Sequence, residues 1–488
     1  MVRDGRREKE PFNVLRIERY DPEVPAEQLI QASDEELLEL SDPVPEIRNQ
    51  WNKPVGNISR LAFAFLSFIV AGMSDAVIGV SIAALCKTKL WKPYELMLIT
   101  TQIEAYYGLN YSSVSLVFLT PFFGYSIAAF LCSRIHMRWG QRGVAILAPI
   151  CHIVPFVMLA VHPPFPVLIV GNAFSGFGNG LADACFPAWV GGMHKGSTVQ
   201  GFLTACYSIG ALIAPLVAVE MISRGGLPWY TFYYIMVGLS VLELGGLVIC
   251  FWRCDGPSYR AIHSQNSTES TNSGVRVAMK SKVAWIIALF LFVDTGVMSN
   301  LAGIGGWTVT YMLRIRGASL HASGMSVSGF WLGMALGRAI LGFVNERFGV
   351  RMCTIIYLCI CIGLELVLWL IPIFEVSAVF VALLGFFLGP MYPGGVMMAA
   401  KLLPKRMHVS AIGFAIAIGG IGGTVFPYII GALAASTNVA VLQPIILILL
   451  VLEIVVWLCL PGFTRQIKSR ILNTELKEHQ FEIIDGSR

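Results

Sequence analysis

Residues 68–84 read FIVAGMSDAVIGVSIAA, an apolar run with one carboxylate, Asp75, near its middle. Such a run belongs either to a protein core or to a membrane helix. Apolar stretches of about 18 or more residues recur along the chain, and each is long enough to cross a hydrocarbon layer of ~30 Å. The recurrence favours a membrane.

The composition points the same way. Of the 488 residues, 56% are hydrophobic and only 13% are charged, and the mean hydropathy is +0.68. About a quarter of the residues of a typical soluble protein are charged. We therefore predict an all-α polytopic membrane protein. The net charge of +5 is too small to indicate nucleic-acid binding.

Twelve transmembrane helices are predicted, in two six-helix halves. The predicted spans are residues 60–84, 112–132, 143–161, 166–190, 197–222, 229–252, 283–312, 322–344, 353–372, 376–400, 409–434 and 440–461. The halves cover residues 59–252 and 283–462, with cytoplasmic tails at 1–58 and 463–488. The linker at 253–282 is rich in serine, threonine and asparagine, which is typical of flexible connections.

Basic residues predict the orientation, because cytoplasmic loops carry an excess of lysine and arginine. They follow the second, sixth, eighth and tenth spans: Arg134, Arg138, Arg142, Arg253, Arg260, Arg276, Lys280, Lys282, Arg347, Arg351, Lys401, Lys405 and Arg406. These loops lie on one side, so both termini and the linker are predicted to be cytoplasmic. We expect a plasma-membrane protein, with a vacuolar or vesicular membrane as the alternative.

The two halves share a repeat of about 210 residues. It pairs Gly140 with Gly349, Phe165 with Phe374, Gly176 with Gly385, Pro215 with Pro427 and Glu243 with Glu453. Two pseudo-symmetric halves place a binding site between them, near the bilayer midplane. The equivalent places of Glu243 and Glu453 indicate a shared structural role.

Residues 342–351, GFVNERFGVR, closely resemble the loop signature of the major facilitator superfamily, and SRIHMRWGQR at 133–142 resembles its degenerate copy. Further stretches, such as GFGNGLADACFPAW at 176–189 and FWLGMALGRAILGFV at 330–344, resemble a fungal branch of the fucose-permease-like proton symporters. The resemblance implies alternating access, with coupling of solute to protons in many members. The implied signature and gating residues are Arg134, Arg138, Arg142, Arg338, Glu346, Arg347, Gly349 and Arg351.

Two features depart from the family pattern. Met137 stands where the signature carries an acid, so only Glu346 is left to interact with a helix N-terminus or an arginine. The segment at about 84–103 lengthens the first outer loop. It is either a genuine outer loop or intron sequence retained by error in the gene model.

Three aspartates lie within predicted spans: Asp75 in the first, Asp183 in the fourth and Asp294 in the seventh. A charge at the centre of a membrane helix costs about 2.5–3.5 kcal/mol on insertion scales, so it faces the bundle interior or water. The resemblance places these helices around the central cavity. A carboxyl group holds its proton more tightly when it loses water, so we predict that Asp75 binds the proton or solute and that Asp183 is the second acid. A hydrogen bond between packed helices is the alternative role for each.

Weaker solute-binding candidates are Asn179, Thr204, Tyr207, Asn300, Trp307 and Tyr392, because amides and aromatic faces suit a polar, ring-bearing molecule. Packing is the alternative role for each. Arg338, about one turn before Gly342, is predicted to form an ion pair at the cytoplasmic gate.

No set of residues predicts catalysis, a metal site or a cofactor. Cys359 and Cys361 lack the paired spacing of a zinc site, and GFGNG lacks the strand–turn–helix context of a dinucleotide site. We predict a monomeric transporter, surrounded by lipid, that moves a small organic solute with protons, a sugar being favoured by the resemblance alone. The alternatives are a proton-antiport exporter of a fungal metabolite and, less favoured, a transporter-like solute receptor.

Overall fold

The computed structural model describes residues 50–79, 116–161, 163–223, 225–258, 260, 279–301, 307–403 and 407–461. Within these ranges the chain is helical and contains no β-strand, which confirms the predicted all-α class. The predicted loop at 84–103, most of the N-terminal tail, the middle of the linker and the C-terminal tail lie outside the described residues.

Among the described residues, five α-helices lie in the first half and eight in the second. The first half contains α1 (Gly56–Gly79), α2 (Leu116–Ala160), α3 (Phe165–Gly191), α4 (Gly196–Ser223) and α5 (Thr231–Phe251). The second contains α6 (Lys282–Leu301), α7 (Trp307–Arg314), α8 (Leu320–Phe348), α9 (Val350–Leu370), α10 (Phe374–Leu388), α11 (Met391–Leu402), α12 (His408–Ser436) and α13 (Leu442–Leu458).

The described helices account for twelve membrane crossings. Ten helical segments, one of which joins α10 and α11, are long and apolar enough to cross a membrane by length and composition. One of these, α2, is broken at Gly140 (φ 69°, ψ −163°) and contains the second and third predicted spans. The α3 helix, which carries Asn172, Asn179 and Asp183, brings the number of crossings to twelve and is the fourth along the chain. The chain is therefore a multi-pass membrane protein.

One predicted span is not a continuous helix. The tenth, predicted at 376–400, is interrupted at Gly389 and Pro390 between α10 and α11. The break has a physical reason, because a proline ring removes a backbone donor and clashes with the preceding helical turn. The seventh, predicted at 283–312, contains α6 and α7, and residues 302–306 lie outside the described part.

The crossing of α1 and α4 depends on two glycines. A Cβ atom on Gly72 would overlap the carbonyl oxygen of Tyr207, and one on Gly210 would overlap the carbonyl oxygen of Ile69. Small residues allow membrane helices to approach this closely. Asp75 follows Gly72 by three residues and Tyr207 precedes Gly210 by three, so the crossing brings these two side chains together.

The two halves meet closely where α4 crosses α8. A Cβ atom on Gly201 would overlap the carbonyl oxygen of Arg338. Nearby, the Phe202 and Phe343 rings pack edge to face with centroids 5.6 Å apart, and the Ser197 amide donates to Glu346 Oε2 at 3.1 Å. This end of the bundle is closed between the halves.

We call this end, which carries Gly140, Gly349 and the start of the linker, the linker end. Arg142 donates its backbone N–H to the Cys254 carbonyl at 3.0 Å, and its guanidinium lies 3.8 Å from the Trp252 ring centroid. In the second half, Arg351 donates to the Leu460 carbonyl at 2.8 Å. In each half, the arginine two residues after the turn glycine therefore contacts the end of that half's last helix.

Candidate functional site

Asp75 lies half-buried in the bundle interior and accepts two hydrogen bonds. The Asn179 amide nitrogen, on α3, donates to Oδ1 at 2.8 Å. The Tyr207 hydroxyl, on α4, donates to Oδ2 at 3.0 Å. Three of the predicted residues, from three helices, thus form one cluster. Two neutral donors stabilise a carboxylate without cancelling its charge, so this group can still exchange a proton.

Asp183 forms a second acidic position. The Tyr125 hydroxyl donates to its Oδ2 at 2.7 Å, and the carboxylate interacts electrostatically with Arg338 of the second half. Tyr392, on α11, lies close to Asp183 and Tyr125. Asp183 therefore lies where the two halves face each other, with tyrosines from both.

Asp294, the third predicted acid, is in a different setting. Its side chain is fully buried, and neither carboxylate oxygen has a hydrogen-bond partner among the described residues. It interacts electrostatically with Arg338 and Glu453. The structure therefore does not bring Asp294 into the hydrogen-bonded clusters of Asp75 and Asp183.

Arg338 forms hydrogen bonds in place of the predicted ion pair. It donates from Nη1 to the Thr204 carbonyl at 2.9 Å and to Ser208 Oγ at 2.8 Å, and from Nε to the Gly389 carbonyl at 3.1 Å. Within the described part of the chain, no carboxylate lies within 4 Å of its guanidinium. The bonded donors, Nε and Nη1, contact neutral oxygens on α4 and at the α10–α11 break. Two of these bonds join the halves.

The side chains of three further solute-binding candidates donate to backbone carbonyls. Thr204 donates to the Gln200 carbonyl of its own helix at 2.9 Å. Asn300, fully buried, donates to the Gly296 carbonyl at 2.7 Å. Trp307 donates from Nε1 to the Pro427 carbonyl at 3.1 Å. These geometries match their packing alternative.

Sequence reasoning missed His152, which lies at the centre of a buried polar chain in the first half. Its Nε2 lies 2.9 Å from Asn179 Oδ1, and its Nδ1 lies 3.1 Å from Glu243 Oε2. Ser67 donates to Glu243 Oε1 at 2.6 Å. A histidine inside the third predicted span was the available signal.

Glu243 and Glu453, predicted to share a structural role, differ in their hydrogen bonds. Glu243 accepts from Ser67, whereas neither oxygen of Glu453 has a hydrogen-bond partner within the described ranges.

The predicted signature residues lie at the linker end. Glu346 accepts from the α4 N-terminus, one of the two partners considered for it. Arg142 and Arg351 contact backbone carbonyls, Gly349 adopts φ 89°, and the other three arginines are exposed: Arg134, Arg138 and Arg347. In the described ranges, no group of three or more histidine, cysteine, aspartate or glutamate side chains is arranged to hold a metal ion.

Curated relatives include a yeast protein and two bacterial transporters. Bypass of stop codon protein 6 of Saccharomyces cerevisiae is 26% identical over 430 residues, covering 82% of each chain. The gentisate transporter of Corynebacterium glutamicum is 23% identical, over 67% of this chain and 74% of its own. The glucose/mannose transporter GlcP of Bacillus subtilis is 22% identical, over 65% and 78%.

Two solved transporters share the fold. The transporter FucP in its outward conformation superposes with a TM-score of 0.62 at 14% identity, covering 81% of this chain and 97% of FucP. The proton:xylose symporter XylE superposes with a TM-score of 0.64 at 15% identity, covering 83% and 96%. The resemblance to fucose permeases inferred from the sequence is supported.

The family model described as Major Facilitator Superfamily matches residues 64–315 and 297–479, most of the chain. Twelve crossings, the two halves meeting at α4 and α8, and this match lead to one assignment. The chain belongs to the major facilitator superfamily of transporters.

Proposed function

We propose that this protein is a proton-coupled secondary transporter of a small organic solute, and that Asp75 is its proton-accepting group. The observation that carries the proposal is the half-buried Asp75 carboxylate, held by the Asn179 amide and the Tyr207 hydroxyl. A change in water access alters how tightly such a carboxyl group binds its proton. Movement of the two halves between outward- and inward-facing states would supply that change.

A neutral polyol such as a sugar suits the charges at this site better than an anion. The Asp75 and Asp183 carboxylates bring negative charge to this part of the bundle, and Nε and Nη1 of Arg338, the nearby cation, are already bonded to neutral oxygens on α4 and at Gly389. Tyrosine hydroxyls provide neutral hydrogen-bonding groups. The similarity to GlcP, a glucose/mannose transporter, and to XylE, a proton:xylose symporter, favours a sugar as the solute. The similarity to the gentisate transporter makes an aromatic acid the second candidate.

We further propose that the protein acts as a monomer in the plasma membrane, with both termini and the linker in the cytoplasm. The linker end would then be the cytoplasmic gate, and Arg338, with its bonds to α4, would help to close it. Proton-driven export of a metabolite is the alternative direction, because the same carboxylate can serve either exchange or co-transport.

Purified protein in sealed vesicles tests the proposal. Uptake of labelled sugars and aromatic acids under an imposed pH gradient is compared for wild type, Asp75→Asn and the control Asp255→Asn, which makes the same change outside the helices. We expect gradient-driven sugar accumulation in wild type and the control. Asp75→Asn should lose accumulation and keep solute exchange.

Accumulation that persists in Asp75→Asn would remove this residue from proton coupling and direct attention to Asp183. Movement of a solute only against the proton gradient would favour the exporter. Accumulation of gentisate-like acids without any sugar transport would overturn the substrate proposal and leave the coupling proposal intact.

A further inference from the structure

A buried hydrogen-bond chain connects Asp75 to Glu243, whose helix α5 packs against α1. In order, it runs from Asp75 to Asn179, His152 and Glu243, with the separations given above, and ends at Ser67. Asn179, His152 and Glu243 are at most 3% exposed. We call these side chains the polar chain.

The donors and acceptors of the polar chain depend on one another. Since the Asn179 NH₂ group donates to Asp75, its oxygen faces His152, and an amide oxygen only accepts. His152 Nε2 must therefore carry a proton. Its Nδ1 and Glu243 Oε2 then share one further proton, either as an imidazolium beside a carboxylate or as two neutral groups. In both cases Nε2–H fixes the orientation of the Asn179 amide.

That orientation acts on Asp75. A proton on Asp75 Oδ1 would meet the NH₂ group of Asn179, which is itself a donor. The amide would have to turn over and offer its oxygen, and this would in turn present NH₂ to the His152 Nε2–H. The proton on His152 thus opposes a proton on Asp75 Oδ1, because a buried donor facing a donor loses its hydrogen bond.

We propose that His152 and Glu243 are a positioning pair that lowers the proton affinity of Asp75 through the orientation of the Asn179 amide. The inference rests on the proposed role of Asp75 in proton coupling. His152 and Glu243 are fully buried, and in this proposal they act through Asn179 and not by touching the solute. Together they favour the ionised carboxylate, so that Asp75 releases its proton when water reaches it.

Other titratable groups near Asp75 do not replace this pair. The helices packed against α1 are α2, α3, α4 and α5. Besides His152 and Glu243, they place Asp183 and Tyr207 near the carboxylate, with Arg338 reaching Tyr207 from the second half. Asp183 opposes ionisation by like charge, and Tyr207 supports it by its hydrogen bond. Among the described groups, the polar chain alone acts on the carboxylate through an orientable amide.

The equivalent positions of the second half, both within the described residues, do not hold such a pair. Cys361 stands 209 residues after His152, and Glu453 stands 210 after Glu243. Cys361 lies close to Glu453, but a thiol offers neither two ring nitrogens nor a positive charge. The arrangement belongs to the half that carries Asp75.

A double-mutant cycle distinguishes positioning from simple charge. Uptake as a function of pH is measured for wild type, His152→Phe, Asn179→Leu and the double variant. His152→Phe should move the pH of half-maximal uptake about one unit higher, the scale expected for one hydrogen bond to a charged group. In the Asn179→Leu background the same change should have no further effect. His136→Phe, a buried histidine elsewhere on α2, is the control.

An equal shift in both backgrounds would show that His152 acts by charge alone and would overturn the inference, as would a shift to lower pH. A second measurement needs no transport: the ¹⁵N resonances of His152 in the full-length protein. Protonated Nε2 at the pH of uptake is expected, and unprotonated Nε2 would refute the inference. Failure of the proposed function would appear separately, as proton-coupled uptake that is unchanged in Asp75→Asn.

Discussion

A methyl group added at Gly201 is expected to open the linker end of the bundle. Gly201 lies on α4 where it crosses α8, and the α4–α8 crossing closes this end between the two halves. The built Cβ would overlap the carbonyl oxygen of Arg338. That oxygen belongs to backbone in a helix and has no rotamer by which to move away, so the two helices must separate.

The size of the effect follows from the overlap. The contact would have to lengthen by about 1 Å to reach an ordinary carbon–oxygen separation, and overpacking of this kind costs about 1–3 kcal/mol. If the closed state alone bears this cost, the ratio of closed to open molecules falls by about 5- to 150-fold. A closed population that dominates in wild type should become a mixture in Gly201→Ala.

Distance measurement by electron paramagnetic resonance provides the assay. Spin labels on non-natural amino acids at His194 and Arg347, both exposed at the linker end, report the separation of the halves. Gly201→Ala should add a population at longer distance. Gly238→Ala on α5, where a Cβ meets no atom within 4 Å, should match wild type.

Distance distributions that are the same for wild type and Gly201→Ala would refute the reasoning. They would show that the α4–α8 crossing yields locally and does not control the separation of the halves. If the distance distribution broadened equally in Gly201→Ala and in the Gly238→Ala control, the change would be due to lost stability.

Two further predictions concern the linker-end turns, both measured as thermal unfolding of purified protein. Gly140→Ala should lower the Tm for two reasons. A φ of 69° costs about 1–2 kcal/mol for a residue with a Cβ, and that Cβ would overlap the backbone of Cys254 and Asp255 at the start of the linker. Gly363→Ala, with open space around it in a helix interior, should leave the Tm unchanged or raise it. Arg351→Ala should also lower the Tm, since hydrogen bonds from a charged group to the end of α13 are worth about 1.5–3 kcal/mol. Arg347→Ala, at an exposed position, should not, and equal losses in both arginine variants would contradict the assigned role of Arg351.

The number and class of the helices could be predicted because each crossing needs a long apolar run, and such runs are visible locally. The break inside the tenth span was not predicted. A membrane helix tolerates a proline such as Pro215 without breaking, whereas Gly389 and Pro390 interrupt the helix. Neighbouring helices decide between these outcomes by supplying partners for the freed backbone groups.

The candidate site was predicted in part. Asp75, Asn179 and Tyr207 were named because polar groups within apolar runs are few, and they form one cluster. Asp294 was named for the same reason, yet it is buried away from that cluster. A helix shows in sequence that it carries an acid, but which way the acid faces depends on the neighbours.

The sequence by itself determined the membrane class, the twelve crossings, the two-half repeat and the identity of the interior acids, because each depends on composition or on short local patterns. Only the tertiary structure decided that Asn179 joins Asp75 to His152 and Glu243, side chains that lie between 27 and 104 residues apart along successive links of the chain. Hydrogen bonds depend on distances of about 3 Å and on direction, and both are set by the packing of helices. Close approaches such as those at Gly72 and Gly210 bring these distant residues within reach.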